Sequence, residues 1–268
     1  MPVDGVDEDD SPEVLDVPTR APLDNNPVIE RRAEIREVDS ADRPERDPDG
    51  GWRWKSVELS PHANRVAEAG LALRREAEGR DADGNYTDRG ITPAMRCIEA
   101  CLEQGSLVPD TERFALKSPD RFKEKLAKMI ERRPGESAED LVGQIHDGIR
   151  YTFLFSSNDY TDNVKDVREN LTASGYELIQ LANRWSGEEY KGINSRWRDL
   201  VTEQSFEVQF HTSESWEVKQ ATHDTYERID DPRTPVEEVE RLRHYQCELT
   251  GYLEIPARCD EIQNYRKT

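Results

Sequence analysis

The sequence contains little that would place the protein in a membrane or among disulfide-rich secreted domains. Its 268 residues include only four cysteines, and no apolar run approaches the roughly 20 residues of a membrane span. The N-terminus also lacks the charged and then apolar pattern of a signal peptide. We therefore expect a cytoplasmic protein without a membrane partner.

The few cysteines give no metal or disulfide pattern. Cys97, Cys101, Cys247 and Cys259 have spacings that match no common zinc site. Cys97 and Cys101 lie four residues apart in a helical stretch, where a cysteine most often serves as a small buried hydrophobic side chain. We expect both thiols to be buried, and neither a disulfide nor a structural metal.

Positive charge is scarce, most of all at the N-terminal end. The chain has 57 acidic and 37 basic residues, a net charge of −20, and its first fifty residues hold 16 acidic residues, 6 basic residues and seven of the fifteen prolines. Such a segment buries too little apolar surface to offset the entropy of ordering it, so residues 1–55 are predicted to be disordered. The net charge also disfavours non-specific binding to nucleic acid.

Beyond residue 55 the apolar pattern alternates between helical and strand periods. One helix is predicted to begin at Pro61. A second is predicted to run from its N-cap Thr92 to Gly105, and a third to end at Pro134. The full order is helices, β, α, β, β, β, α, α, which suits a mixed sheet covered by helices, an α/β (α+β) fold. No internal repeat is evident.

Two predicted strands carry a polar face. In "FEVQFHT", from Phe206 to Thr212, a period of two places Glu207, Gln209 and His211 together, opposite an apolar face. A strand face exposed to water explains this pattern as well as a ligand site does.

The second strand is "YKGINSRW", from Tyr190 to Trp197. Alternation places Tyr190, Gly192, Asn194 and Arg196 on one surface. Glycine weakens a strand unless something must approach closely, such as a stacked base or a phosphate. A bulge or an edge strand is the alternative.

A basic segment and an acid lie upstream. Lys117, Arg121 and Lys125 repeat at intervals of four, so on a helix they share one face, which is either solvated or a clamp for polyphosphate. Asp147 lies at a strand entrance, where a turn alone would explain it. Together with Glu207 it could hold Mg²⁺, which prefers carboxylates and keeps several waters.

These segments occur together, and in the same order, in one known family. From about Thr92 to Ile255 the chain resembles the RelA/SpoT-type alarmone synthetases, which are nucleotide pyrophosphokinases with a nucleotidyltransferase-like mixed β-sheet flanked by helices. The matching segments are "LKSPDRFKEKL" with "IKSPESIxxKL", "HDGIRYTF" with "DxxGxR", "YKGIN" with "GYxSxH", "FEVQFHT" with "xEIQIRT", and "KQATHDTYE" with "xxxxEHxxxYK". This version is most similar to the branch of actinobacterial secreted and toxin-associated ATP nucleotide 3′-pyrophosphokinases.

The resemblance implies transfer of pyrophosphate from ATP to the 3′-hydroxyl of an acceptor nucleotide, with Mg²⁺ as cofactor. Glu207 and Asp147 would be catalytic and hold the metal. The implied ATP-binding residues are Lys117, Arg121, Lys125, Arg113 and Arg150. The implied acceptor-binding residues are Tyr190, which stacks on the base, Lys191, Gly192, Asn194, Gln209, His211 and His223.

The chain departs from the family pattern at several of these positions. Asp147 comes immediately before Gly148 instead of three residues before it, and Arg121 replaces a serine. Asn194 replaces a histidine and His211 replaces an arginine, so the identity of the acceptor stays open.

The resemblance also implies a domain plan and a set of alternatives. The predicted domains are the disordered segment 1–55, a helical part 56–110, the pyrophosphokinase domain 111–256 and a C-terminal tail 257–268.

The alternative functions are a toxin that modifies the 3′ end of tRNA, which the net charge disfavours, and a catalytically silent nucleotide-binding domain. The resemblance also admits as partners an antitoxin or immunity protein, or a second copy of the chain. If the protein is a toxin, it would be delivered into a target cell.

Overall fold

A computed structural model describes residues 43–81, 83–231 and 233–267. The strands among these residues are β1 (Glu45–Arg46), β2 (Trp52–Trp54), β3 (Val57–Leu59), β4 (Ser106–Leu107), β5 (Arg150–Phe155), β6 (Tyr176–Asn183), β7 (Ile193–Asp199), β8 (Ser205–Thr212) and β9 (Tyr265–Arg266).

Helices alternate with these strands. They are α1 (Pro61–Glu78), α2 (Ile91–Cys101), α3 (Thr111–Phe114), α4 (Pro119–Arg132), α5 (Ala138–Gly143), α6 (Tyr160–Ala173), α7 (Ser213–Ala221), α8 (His223–Asp230) and α9 (Val236–Gly251). None of the helices in the described ranges is long and apolar enough to cross a membrane.

The centre of the molecule is a mixed sheet with the strand order β4-β5-β8-β7-β6-β9. Strands β5 and β8 are parallel, and the other neighbours in this sheet are antiparallel. One face of the sheet is apolar and packs against α2 and α6, with Phe153, Phe206 and Phe210 completely buried. The predicted fold class, a mixed sheet flanked by helices, is therefore confirmed.

The opposite face of the central sheet carries the polar side chains of β5, β6, β7 and β8. Helix α7 packs against β8 and β5 and covers this face at the C-terminal ends of those strands. The N-terminal ends of β5 and β8 stay accessible, and the candidate site lies there.

A second core joins the N-terminal strands to the helices beside the site. Strands β1, β2 and β3 form a small antiparallel sheet, and its buried Trp52 belongs to the same apolar cluster as Leu71 of α1 and Leu141 of α5. Phe122 and Leu126, four residues apart on α4, are fully buried in this cluster and form an apolar stripe along the helix. Since a stripe of this kind fixes which face of the helix turns inward, it also fixes where the basic side chains of α4 lie.

The described residues bear on three of the predicted segments. Residues 43–55, predicted to be disordered, form β1 and β2, while 1–42 lie outside the described residues. The second core joins residues on both sides of the predicted division at 110/111. The predicted tail 257–268 supplies β9, and its Cys259 and Ile262 are buried in the main core.

Helix α2 also differs from its prediction. It begins at Ile91 and ends at Cys101, and Thr92 lies in its first turn, where its hydroxyl is 2.6 Å from the Tyr151 hydroxyl. Cys97 and Cys101 are exposed free thiols on the outer face of the helix, so the prediction that both are buried is wrong. Met95 and Ile98 take the buried positions instead, because one stripe of an eleven-residue helix is enough to cover the sheet.

Candidate active site

Asp147 lies at the centre of a group of three positive charges. Its carboxylate is 2.6 Å from Lys125 Nζ, 2.9 Å from Arg150 Nη2 and 3.3 Å from Lys117 Nζ. The short helical turn 146–148 presents Asp147 just before β5, and the backbone N–H of Lys117 donates to the carbonyl of Gly148. The fold therefore brings Asp147 together with Lys117 and Lys125, which belong to a different sequence motif.

The ionisation of this group follows from burial and charge. Burial raises the pKa of Asp147, but the charges of Lys117, Lys125 and Arg150 lower it more, so the pKa ends below its ordinary value. For Lys117 burial is the largest effect, and it lowers the pKa although Asp147 raises it. The carboxylate is thus held in its charged form, as a metal ligand must be.

The turn that presents Asp147 rests on a buried arginine of α1. Arg74 donates from Nη2 to the carbonyls of Val142 and Ile145, at 2.8 and 3.0 Å. A Cβ added at Gly148 would lie 2.5 Å from Arg74 Nε, so only glycine fits beside this side chain. Nothing in the sequence patterns singled out Arg74.

Glu207 reaches the same group from β8. It lies directly opposite Arg150 on the parallel strand β5, and Arg150 Nη2 is 3.7 Å from Glu207 Oε2. Burial lowers the pKa of Arg150, and the charges of Glu207 and Asp147 raise it more, so the guanidinium stays charged between the two carboxylates. The two acids that the sequence predicts as metal ligands therefore contact one shared nitrogen.

A hydrogen-bonded chain runs from Glu207 to a lysine that the sequence motifs did not assign. Gln209 donates to Glu207 Oε1 and accepts at Oε1 from Lys219 Nζ. Lys219 lies on α7, 4.5 Å from the centre of the Trp216 ring. Burial, followed by the charge of Arg150, lowers the pKa of Lys219 to about 7. Lys219 belongs to the quoted motif "KQATHDTYE", so the sequence did point to this segment. The spacing of residues does not show, however, whether a lysine is buried or exposed.

Tyr190 and His211 form a separate network behind Asn194. The Tyr190 hydroxyl is 2.7 Å from Asn194 Oδ1 and 2.8 Å from His211 Nε2, and His211 Nδ1 is 2.9 Å from Ser215 Oγ. In a neutral His211 with its proton on Nε2, Nε2–H donates to the tyrosine oxygen and the tyrosine hydroxyl donates to Asn194 Oδ1. Nδ1 then faces the Ser215 hydroxyl, which is also 3.2 Å from the Thr212 carbonyl. His211 is then neutral, and burial lowers its pKa well below the ordinary value.

The structure changes two expectations about the segment "YKGINSRW". Its strand begins at Ile193, so Tyr190 and Gly192 precede the strand. The space beside Gly192, expected to admit a ligand, holds the His211 ring, because an added Cβ would lie 2.7 Å from His211 Cε1. Asn194 lies on the open polar face as expected.

A cavity of about 280 Å³ lies between α4, the 146–148 turn and the polar face of the sheet. Asp147 and Glu207 both line it, as do the predicted Lys125 and Asn194. Its other lining residues, several of which no sequence motif indicated, are Gln144, His146, Gln180, Ala182, Arg184, Ser195 and Arg196.

The remaining predicted site residues lie away from Asp147. Arg121 pairs with Glu124 and Glu227, each at 3.0 Å, so the predicted face shared by Lys117, Arg121 and Lys125 is split. Lys117 also precedes α4 and is not part of it. The others lie as follows: Arg113 is exposed beside the Phe114 ring, Lys191 donates to the Trp185 carbonyl, and exposed His223 is 3.5 Å from Glu227.

Asp147 and Glu207 are suited to a magnesium ion that arrives with a phosphate substrate. Within the described ranges, no group of three or more His, Cys, Asp or Glu side chains could hold a metal ion. Mg²⁺ is usually held by one or two carboxylates, with waters and substrate phosphates completing its shell. Two carboxylates that share a cavity fit this requirement.

Comparison with known proteins gives structural similarities only. No protein-family model matches the sequence, and no curated protein matches it. The small alarmone synthetase 1 from Bacillus subtilis is similar, with 11% identity, 71% of this chain and 88% of that chain covered, and a TM-score of 0.40. The small alarmone synthetase 2 from Bacillus subtilis is 13% identical, with 71% and 91% covered and a TM-score of 0.39. A GTP pyrophosphokinase family protein from Streptococcus pneumoniae is 16% identical, with 71% and 84% covered and a TM-score of 0.37. At these values no residue role and no activity of this chain follows from the likeness.

Proposed function

We propose that the protein is an ATP-dependent nucleotide 3′-pyrophosphokinase. One observation carries the proposal: Asp147 and Glu207 face one cavity and share Arg150, with Lys117 and Lys125 gathered at Asp147. Carboxylates alternating with fixed cations suit a reaction in which a metal-bound triphosphate must be held and its charge neutralised. The motif resemblance of the sequence supports the same chemistry.

The reaction is an in-line displacement at the β-phosphorus of ATP. The 3′ oxygen of the acceptor forms a bond to that phosphorus, and the bond from the phosphorus to the oxygen shared with the α-phosphate breaks. AMP leaves with that oxygen, and the proton of the 3′-hydroxyl passes to a carboxylate, for which Glu207 is the candidate. Positioning and charge neutralisation supply most of the rate increase in such reactions.

The residues have different roles in this reaction, according to where they lie in the site. Lys117, Lys125 and Arg150 bind the triphosphate when its oxygens replace Asp147 as their partner. Asp147 and Glu207 would hold Mg²⁺, which when bound supplies positive charge to the bridging and transferred phosphate oxygens. Asn194 would then meet the acceptor, with its Nδ2–H₂ free to donate because Oδ1 already accepts from Tyr190.

The acceptor is tested directly by following the label of γ-labelled ATP. The protein is incubated with Mg²⁺ and, in turn, with GDP, GTP, ADP, AMP or tRNA, and both labelled product and AMP are measured. We expect equal amounts of AMP and of one labelled 3′-pyrophosphorylated acceptor. Label on adenine nucleotides or tRNA would support a role like that of the toxin-associated branch. Label on none of the five would refute the proposal in favour of a silent nucleotide-binding domain.

A further inference from the structure

Helix α7 follows β8 without a loop and carries a lysine back to the strand. Strand β8 ends at Thr212 and α7 begins at Ser213. The Ser215 backbone N–H donates to the Thr212 side chain at 3.2 Å, and the Thr212 N–H donates to the Ser215 hydroxyl at 3.0 Å. Reciprocal caps of this kind stabilise the N-terminus of a helix. Since α7 also packs against β8, Lys219 is returned to the side of Gln209, ten residues earlier in the chain.

Gln209 is a buried side chain whose two ends have different partners. Its amide nitrogen donates to Glu207 Oε1, and its amide oxygen accepts from Lys219 Nζ. Only 4% of Gln209 is exposed, so these partners take the place that water would have at a surface amide. The amide therefore links a carboxylate on β8 to a cation on α7.

The chemistry of the two partners permits one orientation of this amide. A carboxylate only accepts hydrogen bonds, and an ammonium group only donates them. With the amide turned by 180°, its oxygen would face the Glu207 carboxylate and its NH₂ group would face the Lys219 ammonium group, so neither hydrogen bond could form. A buried polar group left without a partner costs free energy. Glu207 and Lys219 thus select the same orientation of Gln209.

The orientation of Gln209 decides which oxygen of Glu207 is left for the reaction. Oε1 already accepts from the amide, whereas Oε2 is 3.7 Å from Arg150 Nη2. A carboxylate with a donor at one oxygen and a cation beside the other is held in one rotation. Glu207 lines the cavity, and Lys219 is not among the described residues that do so. Lys219 therefore lies behind the reacting group, with Gln209 between them.

We propose that Lys219 is a positioning residue which, through Gln209, holds Glu207 with Oε2 directed at the 3′-hydroxyl of the acceptor. The part of Oε2 in the transfer rests on the proposed function. In that reaction the proton of the 3′-hydroxyl passes to Oε2 while the 3′ oxygen bonds to the β-phosphorus. Lys219 neither gains nor loses a proton, and its contribution is to the orientation of the carboxylate.

The kinetic test separates positioning from substrate binding. Lys219→Met removes the charge and keeps a side chain of similar length. It is compared with wild type in the labelled-ATP assay at about pH 6.5, where the ammonium form of Lys219 predominates because its pKa is about 7. We expect kcat to fall roughly ten-fold or more, with KM for ATP and for the acceptor changed less than about two-fold. An unchanged kcat, or a loss expressed mainly in KM, would overturn the proposal.

A double-mutant cycle tests whether Lys219 acts through Gln209. Gln209→Met removes the amide, so adding Lys219→Met to it should lower kcat by less than a further factor of about two. Losses that multiply in the double variant would show that Lys219 acts by another route, and would refute the proposal.

Lys123→Met is the matched control. Lys123 is a buried lysine, 3% exposed, and its Nζ is 2.9 Å from Glu68 Oε1. Neither of these two residues is among the described residues that line the cavity. We expect this variant to keep the wild-type kcat, so that a loss in Lys219→Met cannot be ascribed to the removal of any buried lysine.

Hydrogen exchange of the Gln209 side-chain amide tests the orientation without any transfer. Its NMR signals are identified by their absence in Gln209→Met. We expect slow exchange in wild type and exchange roughly ten-fold or more faster in Lys219→Met, with the backbone amides of β8 unchanged. Such a loss of protection supports the positioning role even if no acceptor is ever labelled. Equal exchange in the two proteins refutes it even if the wild type transfers pyrophosphate.

Discussion

Arg150 and Glu207 lie opposite each other on the parallel strands β5 and β8, with Arg150 Nη2 3.7 Å from Glu207 Oε2. The same nitrogen is 2.9 Å from Asp147 Oδ2, so a single guanidinium holds two carboxylates that are far apart in the chain. Parallel strands need a crossover connection, here through α6, β6 and β7. The site therefore exists only once the sheet has formed, and its chemistry can be tested one side chain at a time.

Replacing Glu207 by Gln should abolish pyrophosphate transfer and leave the fold intact. The amide keeps the size of the side chain but cannot accept the proton of the 3′-hydroxyl or add a negative charge for a metal ion. We expect a loss of about 100-fold or more in kcat, measured with labelled ATP, and an unchanged circular dichroism spectrum. Glu217→Gln, on an exposed position of α7, is the control. Turnover like that of the wild type in Glu207→Gln would refute the assignment.

Two substitutions at Tyr190 separate stacking from hydrogen bonding. Tyr190→Phe keeps the ring and loses the hydroxyl that contacts Asn194 and His211, whereas Tyr190→Ala loses both. If the ring stacks on the acceptor base, KM for the acceptor should rise roughly ten-fold or more in the alanine variant, because base stacking contributes about 1–3 kcal/mol. The phenylalanine variant should change it much less. Equal rises in both variants would show that the hydroxyl network, and not the ring face, serves the acceptor.

Lys219 should give the protein a pH dependence near neutrality. Its pKa is lowered to about 7, below the value of about 10.4 expected in the unfolded chain. Between these two pH values the folded state holds fewer protons than the unfolded state, so this group makes the free energy of unfolding rise with pH across that window. We expect wild type to gain about 1 kcal/mol or more between pH 7 and pH 9.5 relative to Lys219→Met, measured by urea denaturation. Parallel curves for the two proteins would contradict the lowered pKa.

Gly192→Ala should disturb the network around His211. Gly192 has a φ of +153°, and an added Cβ would lie 2.7 Å from His211 Cε1 and 3.1 Å from the Phe210 carbonyl oxygen. The ring must therefore shift away from Tyr190, at a cost of about 1–3 kcal/mol in the free energy of unfolding. Gly143→Ala is the control, because an added Cβ there meets nothing within 4 Å. Equal stability of the two variants, measured by chemical denaturation, would show that the space beside Gly192 adapts freely.

Local sequence patterns predicted the elements that carry the site. The alternation in "FEVQFHT" correctly placed Glu207, Gln209 and His211 on one face of β8, because the period of a strand is a local property. The helix predicted up to Pro134 is likewise present as α4, which ends at Arg132. The patterns failed where burial depends on distant residues: Cys97 was predicted to be buried and is exposed, and His211 is fully buried beneath α7.

The sequence by itself determined the mixed α and β character of the chain, the apolar faces and the acidic and basic side chains available for a site. The tertiary structure decided which of these side chains meet. It placed Lys117, Lys125 and Arg150 on Asp147, tied Lys219 to Glu207 through Gln209, and brought β9 to the edge of the central sheet. The physical reason is that periodicity is set by the backbone within a few residues, whereas strand register, burial and charge pairing arise from contacts between segments that are remote in the chain.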